Sequence, residues 1–308
     1  MTLDSLADSR AERLRGIAAM LIAVAALAAM DAVLKVLAAD YPPLQVTALR
    51  GASSLPFVLV SVALWGRWQD LRPVRVSLHL ARGVLGIVMV AGFVYAVRAL
   101  SLASAYAIFF IAPLLVTALA VPLLGEHVGG RRWLAILVGL AGVLVMLQPS
   151  PDALVTLGAL GALASALAYA LSAISVRALT RTDTTASMVF WFLVLLTLSA
   201  GALAAPGWVD IPPRDWPWIV ALGALGTVGQ HFITEAFRHA PASVIAPFEY
   251  TALLWGVAID WAFWNVLPGG RTLVGAGIVI AAGLYLIWRE RQLHQELAAS
   301  IESPASMH

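Results

Sequence analysis

Cysteine is absent from the 308 residues, which removes disulfides, thiolate metal ligands and cysteine nucleophiles from consideration. Charge is scarce too: Asp, Glu, Lys and Arg make up 12% of the chain against 61% hydrophobic residues, and the mean hydropathy is +0.89. A water-soluble domain could not cover its surface with so few charges. Also missing are a phosphate-cradling glycine loop, an HExxH zinc pair, a dinucleotide fingerprint and a serine elbow, while the six histidines lack metal-ligand spacing. No cofactor and no metal are therefore expected. A membrane-embedded enzyme, which needs several catalytic groups converging at one interface, is the weaker alternative. The formal charge of +2 resides in loops between apolar runs, so membrane topology accounts for it better than nucleic acid does.

What the chain does have is a succession of apolar runs, each near the length of about 20 residues that spans a bilayer. They fall at Leu14–Ala38, Leu44–Leu64, Leu78–Leu100, Ala103–Leu124, Trp133–Leu147, Leu154–Leu179, Ala186–Ala204, Trp216–Phe237, Ala242–Trp264 and Thr272–Trp288. The expected fold class is an all-α membrane protein of ten transmembrane helices. With a cytoplasmic N-terminus, fourteen of the nineteen basic residues, among them Arg67, Arg131, Arg132, Arg181 and Arg289, fall on the cytoplasmic side. That asymmetry predicts a multi-pass bacterial inner-membrane protein with both termini in the cytoplasm.

Self-comparison adds an internal repeat. A shift of 140 lays Tyr95-Ala-Val-Arg98 on Glu235-Ala-Phe-Arg238 and Gly129-Gly130-Arg131 on Gly269-Gly270-Arg271, and a shift of 141 lays Ala141-Gly142-Val143 on Ala282-Gly283-Leu284. The expected organisation is a tail at 1–13, a first half at 14–147, a second at 154–288 and a tail at 289–308. Five spans per half, an odd number, give the halves opposite orientations. Two inverted five-helix repeats around a central cavity are the plan of alternating-access carriers, with a solute site near the midplane. One duplicated chain can form a complete pathway, so a monomer is expected, with the lipid bilayer and a small solute as its partners and no nucleic acid.

The runs Phe93-Val-Tyr-Ala-Val-Arg98-Ala-Leu, Ala107-Ile-Phe-Phe-Ile-Ala-Pro113, Leu123-Leu-Gly-Glu126 and Arg132-Trp-Leu-Ala-Ile-Leu-Val-Gly-Leu-Ala-Gly142-Val resemble the EamA branch of the drug/metabolite transporter superfamily. This resemblance, which covers nearly the whole chain, implies ten helices, a central cavity and transport of metabolites such as amino acids, their derivatives, nucleosides or vitamins. Secondary transport of an amino acid, a derivative or a similar polar or aromatic solute, with export rather than import, is expected. Met30-Asp-Ala-Val-Leu-Lys35, Tyr41-Pro-Pro-Leu and Arg50 are similar to the subgroup containing S-adenosylmethionine and riboflavin carriers, so uptake is the alternative. The second half departs from the pattern. Val266 stands where Glu126 would repeat, and Glu249 falls opposite Phe109.

Ionisable residues inside spans are the leading site candidates, because a charge at the bilayer centre costs several kcal/mol unless paired or hydrated. Glu249 and His231 are expected at similar depth, where they could bind a cationic group or exchange a proton. Asp31 and Arg50 are expected to pair with one another or to meet solute, Arg50 being suited to a carboxylate. Lys35, at i, i+4 from Asp31, is expected to pair with it or to reach the interface. Tyr95, Tyr106, Phe110, Tyr169, Tyr250 and Trp255 offer apolar walls with polar tips. Pro113 and Pro247 are expected to kink their helices.

Overall fold

The computed structural model describes residues 3–124, 130–147, 156–179, 182–239 and 246–302. Glu126, Gly129, Arg181, and the expected starts of the sixth span at Leu154 and the ninth at Ala242 lie outside these residues. Among the described residues the structure is all-helical. In chain order the helices are α1 (Leu3–Asp40), α2 (Pro43–Trp65), α3 (Val76–Ala99), α4 (Leu102–Phe109), α5 (Ala112–Leu124), α6 (Gly130–Leu147), α7 (Leu157–Leu179), α8 (Thr185–Ala204), α9 (Trp216–His239), α10 (Ala252–Trp264) and α11 (Gly270–Glu302). Among the described residues, six stretches are long and apolar enough to cross a membrane: Leu14–Asp40, Pro43–Leu64, Val76–Ala99, Leu102–Leu123, Leu157–Val176 and Thr185–Gly207. Shorter apolar helices run over Trp133–Val145 and Gly270–Tyr285. Helices satisfy their own backbone polar groups, which is what a spanning segment needs in hydrocarbon. α1 and α11 extend past the expected spans into residues 3–13 and 289–302.

Local sequence sets the ends. Pro43 opens α2, where its missing N–H costs nothing. Ser101 and Thr184 cap α4 and α8 by accepting the Ser104 and Ser187 amides, each at 3.1 Å. Asn265 closes α10 in the left-handed region at φ 55°. The fourth span is interrupted at Phe110–Ile111, and Pro113 is the second residue of α5. Pro247 differs from expectation. It lies in a 3-10 segment, Ala246–Thr251, ahead of α10 and not within an α-helix, because the turn before a helix start accepts a residue without an N–H.

Small residues bring the helices together. Cβ atoms added to Gly92 of α3 or Gly161 of α7 would lie 2.8 and 2.7 Å from the other glycine's carbonyl oxygen, so these backbones touch directly. The Ser165 hydroxyl donates to Met89 O nearby at 2.6 Å. The order of contacts shows how the helices run. Gly51 meets Thr197 while Gly201 meets Ala48, so α2 and α8 are antiparallel. Gly142 meets Gly275 and Ile278 while Gly139 meets Ala282, so α6 and α11 are too. Gly256 meets Tyr106 and Asp260 meets Ala103, which makes α4 and α10 antiparallel as well. α1 packs along α9 and α3 along α7, while α2 also touches α9 as α3 touches α8.

Candidate functional site

Polar side chains of α1 and α2 converge on α4 at a first polar position. The Tyr106 hydroxyl donates to Asp31 at 2.9 Å, and Arg50 lies within electrostatic reach of both. Arg50 is half-buried, and its guanidinium has no hydrogen bond or ion pair among the described residues. The expected direct Asp31–Arg50 pair is therefore not formed. Tyr106, a neutral donor, supplies the contact that Asp31 makes, and the guanidinium keeps its donors free.

The second polar position is Glu249, on the 3-10 segment before α10. Its side chain is exposed and makes no hydrogen bond or ion pair among the described residues. It is within electrostatic reach of Tyr169 and Tyr250. A connected set of rings joins the two positions. Tyr169 meets Phe109 at 5.4 Å, Phe109 meets Phe93 and Phe93 meets Tyr106 each at 5.9 Å, Tyr106 meets Phe110 at 6.5 Å and Phe110 meets Tyr250 at 5.1 Å. Edge-on and offset pairs of this kind are favourable contacts and hold the rings in fixed orientations. The buried Tyr250 hydroxyl lies against Gly283, where a Cβ would overlap it.

Of the sequence candidates, Asp31, Arg50, Tyr106, Phe110, Tyr169, Glu249 and Tyr250 are thus brought into one neighbourhood. The others are not. Tyr95 is exposed beside Gly161 at the α3–α7 seam, Trp255 is exposed without a ring partner among the described residues, and His231 is exposed with its ring 5.4 Å from that of Phe232 and no hydrogen bond to Glu249. Similar depth on two helices does not set which way each side chain points.

Sequence reading passed over several buried polar groups. Lys35 leaves Asp31 and instead binds Asp260 of α10 at 2.8 Å, with its ammonium 4.5 Å from the Trp264 ring centroid. Asp260 is fully buried and also accepts the Ala103 N–H at the start of α4, at 2.9 Å. The signal was available, since Asp260 is an acidic residue inside an apolar run. At the same end of the bundle the Tyr41 hydroxyl donates to Asp215 at 2.6 Å, and burial together with that carboxylate pushes the phenol up to about 12. The buried Gln45 amide also bonds both backbone groups of Val209, at 2.6 and 2.9 Å. At the opposite end Asp183, in the α7–α8 connection, accepts from His79 at 3.0 Å, from the Val74 amide at 2.8 Å and from Thr182 at 2.7 Å. Burial opposes these bonds, yet together they hold the Asp183 carboxyl down to about 2.

Residues 14–148 and 156–289 each match the model of the EamA-like transporter family. The chain belongs to the EamA-like transporter family. Among similar proteins, the pseudopaline exporter CntI of Pseudomonas aeruginosa is 26% identical over 88% of this chain and 95% of its own length. A riboflavin transporter of Rhizobium johnstonii is 31% identical over 71% of this chain and 73% of its own. An S-adenosylmethionine uptake transporter of Rickettsia conorii is 25% identical over 92% and 96% respectively. A solved crystal structure 20% identical in sequence superposes on 92% of this chain and 99% of its own with a TM-score of 0.60, which shows a shared fold. This EamA-like chain is thus a multi-pass membrane protein whose relatives are named as transporters.

Proposed function

We propose that this EamA-like protein is a secondary carrier of the bacterial inner membrane that moves a small organic metabolite, an amino acid or amino-acid derivative, out of the cell by alternating access. The observation that carries the reading is a pair of opposite charges whose side chains make no hydrogen bond or ion pair among the described residues. Arg50 and Glu249 lie on different helices, linked by aromatic rings, and neither charged group makes a hydrogen bond or ion pair among the described residues, Asp31 being within electrostatic reach of Arg50. In hydrocarbon such groups would be expensive, so each needs water or a ligand. A zwitterionic solute supplies both counter-charges: its carboxylate takes the Arg50 fork and its ammonium takes Glu249. Between solutes, a proton on Glu249 neutralises the site, which makes this residue the coupling candidate.

The helix pairings support two inverted halves, 14–147 and 154–288, enclosing the site. Exchange of the halves carries α2 into α8, α6 into α11 and the fourth span, α4 with α5, into the ninth, where α10 corresponds to α5; the α2–α8, α6–α11 and α4–α10 contacts each run antiparallel. The same exchange turns the α1–α9 pairing into α7–α3. Interruptions at Phe110–Ile111 and before Ala252 fall at equivalent places, and interrupted helices are the usual site-bearing elements of inverted-repeat carriers. Ten spans, both termini cytoplasmic, a monomeric pathway and drive by an ion gradient complete the reading. Import is the second reading of the same site, favoured by the relative named for S-adenosylmethionine uptake.

Metabolite profiling of cells and medium with and without the gene identifies solute and direction together. Glu249→Gln is then expected to reduce flux of that solute in proteoliposomes by at least about tenfold, the scale of one lost charged contact, with normal elution of the purified protein. Unchanged, still pH-dependent transport by Glu249→Gln would remove this residue from the mechanism.

A further inference from the structure

The buried Lys35–Asp260 pair crosses a seam. α1 packs along α9 and α10 packs along α4, and the pair joins one set to the other at the end of the bundle where α1 terminates. It stands one helical turn beyond the site. Lys35 is four residues from Asp31 on α1, and Ala103, whose amide Asp260 holds, is three residues from Tyr106 on α4. Side chains so spaced lie on one helix face. Lys35 and Asp260 thus cover the Asp31–Tyr106 contact from that end, with Trp264 lying against the ammonium.

We propose that Lys35 and Asp260 form a reversible gate across this seam, closing the solute site at the end where α1 terminates, and that opening there requires the pair to part. This rests on the carrier reading above. A buried ion pair is ordinarily a poor moving part, because separating it leaves two bare charges. Here each partner has a substitute on its own side of the seam. Lys35 has Asp31 at i, i+4 on α1, in the position such pairs normally adopt. Asp260 keeps the amide at the positive end of α4, where a carboxylate is stabilised. Parting therefore exchanges one partner for another and leaves neither charge without a partner. The pair itself is closed off: the Asp260 side chain is fully buried and that of Lys35 is 13% exposed.

The cysteine-free chain permits a direct test. A single thiol is introduced by Ala32→Cys, beside Asp31, and sealed vesicles of both orientations are treated with a membrane-impermeant methanethiosulfonate. With the gate intact the thiol reacts more slowly from the face that the pair closes than from the opposite face. In the Lys35→Met/Asp260→Asn background, which removes both charges together, reaction from the closed face rises at least tenfold, while Lys35→Arg leaves it at the parent rate. Should the double variant fail to elute as a folded protein, Asp260→Asn alone, which leaves Lys35 free to use Asp31, is read instead with the same expected direction. Equal rates from the two faces in the parent, or no rise in a folded gate variant, overturn the proposal. No solute enters the assay, so a mistaken solute class, or transport surviving Glu249→Gln, leaves the gate result separately readable.

Discussion

Asp183 shows how a single connection residue ties distant parts of the chain together. It draws on Val74, His79 and Thr182, and its carboxyl is held down to about 2 from an ordinary 3.8. A depressed carboxyl stabilises the folded state fully above its unfolded value and loses that contribution as pH falls through the folded one. The stabilisation, on the order of 1 kcal/mol after solvent screening at the connection, is therefore present at neutral pH and fades between 3.8 and about 2. Asp183→Asn is expected to lower the melting temperature of the detergent-solubilised protein at pH 7 by about 2–4 °C, a gap that narrows in acid. An equal gap at pH 7 and pH 3 would contradict this. At this scale Asp31, Arg50 and Glu249 were legible because a charge inside an apolar run stands out. The partners were not. Local spacing favours Lys35 with Asp31, but the ammonium goes to Asp260, 225 residues away, a relation that no helical periodicity encodes.

Among the elements, the α3–α7 contact is constrained by size from both sides. Gly92 and Gly161 face each other's carbonyls at distances no Cβ can occupy without movement, and backbone atoms have little freedom to give way. Gly161→Val is expected to destabilise the protein by about 1–3 kcal/mol, read as a fall in melting temperature in detergent. Gly130→Ala, where no atom lies within 4 Å of the added Cβ, serves as the control and should change little. Comparable effects from the two substitutions would refute the close-contact account. Element positions were largely readable from apolar runs and their Pro and Gly boundaries. The interruption at Phe110–Ile111 was foreshadowed by Pro113, but the 3-10 geometry around Pro247 was not, because proline restricts its own φ without stating which helix type follows.

For the molecule as a whole, the antiparallel contacts between α2 and α8, α4 and α10, and α6 and α11 are what two oppositely threaded halves require. Short sequence matches at a near-constant shift suggested this relation, yet the side-chain geometry inside the bundle was beyond them. Glu249 and Phe109 occupy corresponding places, so a shared backbone plan carries unlike chemistry in its two halves. The central claim is that water and solute reach Glu249 between those halves and lipid does not. In the cysteine-free chain, Glu249→Cys and Leu254→Cys place one thiol at the site and one at the 69% exposed apolar position on α10. The account predicts that a hydrophilic methanethiosulfonate modifies position 249 in membranes at least tenfold faster than position 254. A thiol at 249 that ignores the hydrophilic reagent and reacts only with a lipid-soluble one would contradict it.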